Sequence, residues 1–255
     1  LLYRQGYFVQ TFDAYGNQIA EYFDTDFTAL PISPVIDAEG KEVSICIDEV
    51  EDPIYLRLWK VRAGRIRLYM LDSDVPQNSP ANRQITHQLY GGDSNTRILQ
   101  EIVLGIGGVR ALRALGHEPS VWHINEGHGA FQIIERCREL VAERLKFDSA
   151  LESVAAATVF TTHTPVQAGH DIFSPELVRS HMSQIADSLK LTLDEFMHMG
   201  SSPSAQGGLN MTALALRGSR FHNGVSKIHG NVASRMEAYV WPQISADENP
   251  IGHVT

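Results

Sequence analysis

Apolar and aromatic residues alternate with polar ones through YFVQTF, VSICID, YLRLWKV and RIRLYML, all between Tyr3 and Leu71. A period of two predicts strands, and the turn signals Ala14-Tyr15-Gly16-Asn17 and Glu39-Gly40 that separate them predict a mostly antiparallel layer. Asp72 to Asn82 is a polar Asp/Ser/Pro/Asn loop, and beyond it the texture changes. Thr96 to Leu115 begins as a helix, VWHIN reads as a strand, Gly129 to Leu145 as a helix, ATVFTT as a strand and Glu176 to Leu191 as another helix. Helices that alternate with short apolar strands predict βαβ units on a parallel sheet, so the fold class is α/β with an antiparallel, β-rich part near the N-terminus. Gly200 to Gly208, GSSPSAQGG, reads as a flexible loop.

Polar chemistry collects where the apolar segments end. VFTTHTPVQAGHDIF (Val159 to Phe173) places Thr162, His163, Thr164, Gln167, His170 and Asp171 behind a strand, and SVWHINEGHGAF (Ser120 to Phe131) and GSRFHNGVSKIHG (Gly218 to Gly230) have the same design. In parallel sheets ligands bind beyond the carboxyl ends of the strands, so turns of this type predict one shared cleft. Glu126 is the acid to single out: it could contact sugar hydroxyls or positive charge developing at a glycosidic carbon, or simply be a helix N-terminal acid facing the macrodipole. Asp93 and Asp171 are the other carboxylates with comparable placement.

The composition narrows the partners. The chain has 255 residues, 43% of them hydrophobic, enough for a core, and 21 basic against 30 acidic residues give a formal charge of -9. That balance argues against nucleic acid or an anionic membrane as partner. No apolar run approaches the ~20 residues that span a bilayer, and LLYRQGYF lacks the features of a signal peptide. Cys46 and Cys137 are far apart and without metal-type spacing, which favours a reducing compartment, with the cytoplasm as default. The absence of a starting Met and the abrupt end at Thr255 suggest a piece of a longer chain.

Four other patterns are weaker. His123 and His128 are five apart and His163 and His170 seven apart, neither being the spacing that puts two imidazoles on one helical face, so no metal site is expected. The run Gly105 to Ala111, GIGGVRA, imitates a dinucleotide fingerprint but runs on from a helix, and a close helix packing contact is the better reading. Lys227 could be proposed as a Schiff-base lysine, although a lysine early in a helix is more often solvated, and Asn210-Met211-Thr212 reads as a helix start rather than a glycosylation site.

Taken in order, LYGGDSNTRILQEIVLGIGGVRALRALG, WHINEGHGAF, VFTTHTPVQAGHDIF and NMTALALRGSRFHNGVSKIHG resemble the glycogen (alpha-glucan) phosphorylases, most of all their short bacterial and archaeal branch. The resemblance covers nearly the whole chain. It implies a glycosyltransferase-B architecture of two Rossmann-like domains, with this chain an internal piece of the N-terminal one: residues 1–82 its β-rich layer and 83–255 its Rossmann-like α/β part. The C-terminal domain, with the lysine that holds pyridoxal phosphate, would be absent. No covalent cofactor is then expected on this chain, and Lys227 is not the cofactor lysine.

Carried over by position, the resemblance makes His163 the catalytic-site histidine at the transferred glucosyl residue, with Thr164 beside it. Asn125, Glu126 and His128 line that sugar's neighbourhood, and Glu126 stands where muscle-type members have the shorter Asp. Asp93 falls in a gate loop, and Asn223, Gly224 and Val225 form a turn packed against the sugar. The implied reaction is phosphorolysis of terminal alpha-1,4-glucosidic bonds, with alpha-1,4-glucan and orthophosphate as partners, alpha-D-glucose 1-phosphate as product and a homodimer of the parent as an option. A sugar-nucleotide glucosyltransferase of the same architecture and a carbohydrate-binding module remain as alternatives.

Overall fold

The computed structural model describes every residue except Tyr90, Pro165, Gln167 and Ala168. The chain divides into two compact units, residues 1–48 with 52–103, and residues 49–51 with 104–255. Among the described residues no helix is long and apolar enough to cross a membrane.

The first unit holds β1 (Val9–Phe12), β2 (Gln18–Glu21), β3 (Ile32–Pro34), β4 (Ser44–Ile47), β5 (Ile54–Ala63), β6 (Ile66–Asp72) and helix α1 (Ser94–Ile102). β1 and β2 form a hairpin closed by Asp13, whose carboxylate accepts the N–H groups of Tyr15 and Asn17 at 2.8 Å each. β5 organises the larger antiparallel sheet: β4 pairs with its first residues, β3 with Trp59 to Val61, and β6 with Arg57 to Ala63. The alternation read in the sequence is the alternation of burial, with Ile54, Leu56 and Leu58 fully buried on one face of β5. The polar stretch after Asp72 is a loop pinned from within. Asn78 takes the Tyr55 N–H at 2.8 Å and donates to the carbonyls of Tyr55 and Ser73, so the loop is tied to β5 without regular structure.

The second unit begins after Val103, where the helical chain passes through a π turn (Val103–Gly107) into α2 (Gly108–Ala114). There follow β7 (Trp122–Asn125), α3 (Phe131–Ala142), α4 (Phe147–Ala156), β8 (Thr158–Thr162), β9 (Ile172–Phe173), α5 (Pro175–Ser188), α6 (Leu193–His198), β10 (Leu209–Asn210), α7 (Met211–Arg217), β11 (Phe221–Gly224), α8 (Lys227–Met236) and β12 (Ile251–His253). β7, β8, β11 and β12 lie side by side in sequence order, all parallel, each reached through at least one helix. β9 and β10 form a separate antiparallel pair.

The helices start where the sequence caps them. Ser174 accepts the Leu177 N–H ahead of Pro175, Thr192 and Glu195 form a reciprocal capping box, and Ser226 caps α8. Asn210, 1% exposed, spends its side-chain oxygen on the N–H groups of Thr212 and Ala213, so the Asn-Met-Thr triplet is a helix start. Gly105 carries the close packing contact expected of GIGGVRA: a Cβ there would lie 2.7 Å from the Gln132 nitrogen and from Phe131 Cβ. The core comprises Ile124, Phe131, Ile134, Phe160, Val178, Met182, Phe196 and Leu214. A partly buried ionic cluster ties residues 49–51 to this unit. Arg110 forks onto Glu49 at 2.6 and 2.7 Å, and Glu135, 1% exposed, also accepts from Arg110 and Arg138.

Candidate active site

On β7 the two-residue period buries Trp122 and Ile124 and leaves His123 and Asn125 on the other face. In-register neighbours continue that face across the sheet, Asn125 beside Thr161 and Thr161 beside Asn223. The carboxyl ends of β7, β8 and β11 therefore line up, and Asn125, Glu126, Thr162, His163, Thr164 and Asn223 lie at those ends, in the second unit.

Glu126 leaves β7 with φ 63° and ψ 173°, a conformation almost confined to glycine. The turn aims its carboxylate at the end of β8. It accepts the backbone N–H of His163, the Thr164 hydroxyl at 3.0 Å and the Thr162 hydroxyl at 3.5 Å. Glu126 stands at the N-cap of the short helical turn Gly127–Gly129, but its side chain makes no capping bond there. The His163 imidazole donates from Nε2 to Asn125 Oδ1 at 2.7 Å, so β7 and β8 are bridged twice at the point where both strands end.

The other expected residues have separate partners. His128 Nδ1 meets Asp171 Oδ2 at 2.8 Å. Gly224 lies so close to α8 that a Cβ would be 2.7 Å from His229 Nδ1 and 2.8 Å from the Gly230 nitrogen, and the Val225 N–H donates to that His229 nitrogen at 3.3 Å. Asp93 lies in the first unit, where it caps α1 by accepting from Thr96 N–H and Oγ1; those bonds hold its carboxyl below the usual range. Gln167 lies outside the described residues. His123, His128, His163 and His170 meet Thr161, Asp171, Asn125 and Glu237 respectively.

Glu237 is the carboxylate that sequence reasoning missed. It is 1% exposed, accepts the Tyr239 hydroxyl at 2.6 Å, and has the almost buried His170 ring 3.6 Å from its other oxygen. Burial pushes its carboxyl up; the Tyr239 bond and His170 oppose the shift, and the Glu126 carboxylate adds to it. Tyr239 lies two residues on, but the approach of His170, far away in sequence, left no signal in the chain.

Chemically, the strand ends present an imidazole, two carboxamides, a carboxylate and threonine hydroxyls, partly exposed. Such a set suits a neutral, polyhydroxylated ligand.

No protein-family model matches the chain. The chain is 41% identical over 255 residues to the maltodextrin phosphorylase of Thermococcus litoralis, an alignment that takes in all of this chain and 30% of that protein. It is 41% identical over 268 residues to the glycogen phosphorylase of Mycobacterium tuberculosis, covering 100% of this chain and 31% of the other. Against the glycogen phosphorylase of Aquifex aeolicus the identity is 31% over 255 residues, covering 100% and 36%. The chain thus spans about a third of the length of these relatives.

Proposed function

Along its whole length the chain is a homologue of the alpha-glucan phosphorylases, and on that premise we propose that it is a segment of an enzyme that cleaves terminal alpha-1,4-glucosidic bonds with orthophosphate, releasing alpha-D-glucose 1-phosphate. In this reading the second unit is part of a Rossmann-like domain of glycosyltransferase-B architecture. The sequential parallel order of β7, β8, β11 and β12 supports it, as does a polar cluster at their carboxyl ends.

The observation that carries the proposal is the double bridge between β7 and β8. It unites Asn125, Glu126, His163 and Thr164, positions that the motif resemblance assigns to the sugar, around one strained turn. His163 and Asn125 orient each other for hydrogen bonds to the glucosyl hydroxyls. The Glu126 carboxylate fixes the backbone at His163 and supplies negative charge near a sugar carbon that becomes positive as the glycosidic bond breaks. Groups held in place before the reaction stabilise that charge at no reorganisation cost.

The pyridoxal phosphate implied by the family does not fit a lysine of this segment. Lys41, Lys60, Lys146, Lys190 and Lys227 are all exposed, whereas a Schiff-base lysine sits in an enclosed pocket. Its binding residues belong, in this proposal, to the rest of the parent protein. The test is phosphate-dependent release of glucose 1-phosphate from maltodextrin by the full-length parent. Release is the expected result; hydrolysis to glucose, or transfer requiring a sugar nucleotide, would overturn the proposal.

A further inference from the structure

Behind the strand-end cluster, His123, Thr161 and Asn223 form a chain of hydrogen bonds across the same three strands. His123 Nε2 lies 2.7 Å from Thr161 Oγ1, and that hydroxyl lies 2.9 Å from Asn223 Oδ1. The direction of the chain follows from its far end. The Asn223 carboxamide nitrogen is 3.2 Å from the carbonyl oxygen of Gly224. A carbonyl can only accept, so the NH2 group must be on that side and Oδ1 on the side of Thr161. Thr161 has one hydroxyl proton, which goes to Asn223, so its oxygen is left to accept, and His123 must carry its proton on Nε2.

We propose that Thr161 and His123 are positioning residues that lock the Asn223 carboxamide with its NH2 group toward the end of the sheet, making Asn223 a hydrogen-bond donor to a hydroxyl of the bound sugar. An asparagine amide can present oxygen or nitrogen to a ligand, and only a fixed partner makes it selectively a donor. One N–H is held by Gly224, and among the described residues the second has no partner. Thr161 is 7% exposed, so its hydroxyl is shielded from water, which would otherwise compete for either end of the amide. The inference rests on the phosphorylase reading for the identity of the ligand; the direction of the relay rests on the bonds alone.

The test uses the full-length parent in the variants Thr161→Val, Thr161→Ser, Asn223→Ala and the Thr161→Val/Asn223→Ala double, with maltoheptaose and orthophosphate. Wild-type phosphorolysis, measured first, reports on the phosphorylase reading alone. Thr161→Val should lower kcat about tenfold, the factor a single hydrogen bond represents. Thr161→Ser, which keeps the hydroxyl, should recover to within about threefold, and Thr161→Val should have almost no further effect in the Asn223→Ala background. Losses that multiply in the double variant, or a Thr161→Val enzyme with unchanged kcat, would overturn the relay. If the wild type has no phosphorolytic turnover, the same cycle is read from maltoheptaose binding by calorimetry. A Thr161→Val loss that Ser rescues and Asn223→Ala abolishes then keeps the relay while the reading falls; additive losses, or no binding at all, remove the relay as well.

Discussion

Glu126 should be more stable as glycine than as alanine, the reverse of ordinary strand and turn positions. Its backbone sits at φ 63° and ψ 173°, where an L residue costs about 1–3 kcal/mol and glycine essentially nothing. Alanine keeps that cost. Glycine removes it but forfeits about 0.5–1 kcal/mol through the freedom it gains in the unfolded chain. Both variants lose the carboxylate that accepts from His163, Thr164 and Thr162, so this larger loss cancels in the comparison. Glu126→Gly should therefore exceed Glu126→Ala by about 0.5–2 kcal/mol in urea denaturation of the chain. On the proposed function, turnover of the parent should fall in both, because there the carboxylate, and not the strain, acts at the sugar. Alanine equal to or above glycine in stability would refute a strained turn held in place by the bonds of its side chain.

Three further outcomes follow from packing and charge. Gly105→Ala should destabilise by about 2 kcal/mol or more, since its Cβ would stand 2.7 Å from the Gln132 nitrogen, whereas Gly108→Ala, with open space around it, should be neutral or stabilising by up to about 1 kcal/mol; paired thermal denaturations check this. Burial raises the folded-state pKa of Glu237 above the ordinary 4.5, so the folded chain holds a proton that the unfolded chain releases, and stability should be whole below that value and decline as pH rises through the folded pKa. Glu237→Gln should flatten that decline in denaturation midpoints taken from pH 4 to 8, and an unchanged slope would argue against a buried, protonated Glu237. Arg110→Met should cost about 3 kcal/mol in urea denaturation, because it strips the buried Glu135 and the partly buried Glu49 of a shared partner; a loss under 1 kcal/mol would show the cluster to be dispensable.

The strands that carry the site were legible because the two-residue period survives in them: Trp122 and Ile124 are buried where His123 and Asn125 are not, and ATVFTT ends in the polar residues that meet the turn after β7. α4, α6 and the three-residue β12 left no signal long enough to stand out from loops: α6 is set by its capping box, while α4, which has no side-chain cap, and β12 depend on neighbours distant in sequence. The helix expected from Gly129 starts instead at Phe131, after the short turn Gly127–Gly129. The conformation of Glu126 was hidden for a chemical reason: positive φ advertises itself through glycine, and a glutamate held there by three acceptor bonds does not. Thr161 read as an ordinary strand residue, and its role depends on His123 and Asn223 arriving from 38 and 62 positions away.

The most direct test of the strand-end site as the sugar-reacting centre is the kinetics of phosphorolysis by the full-length parent with His163→Ala. His163 meets Asn125 at 2.7 Å and its backbone is held by Glu126. A group placed at the reacting sugar acts in the transition state, while a polymer keeps many contacts elsewhere, so kcat should fall with little change in KM for glucan. The loss expected of one such contact is about 2–4 kcal/mol, roughly 30- to 1000-fold in rate. An unchanged kcat with only a raised KM would make His163 an ordinary binding residue and contradict the account.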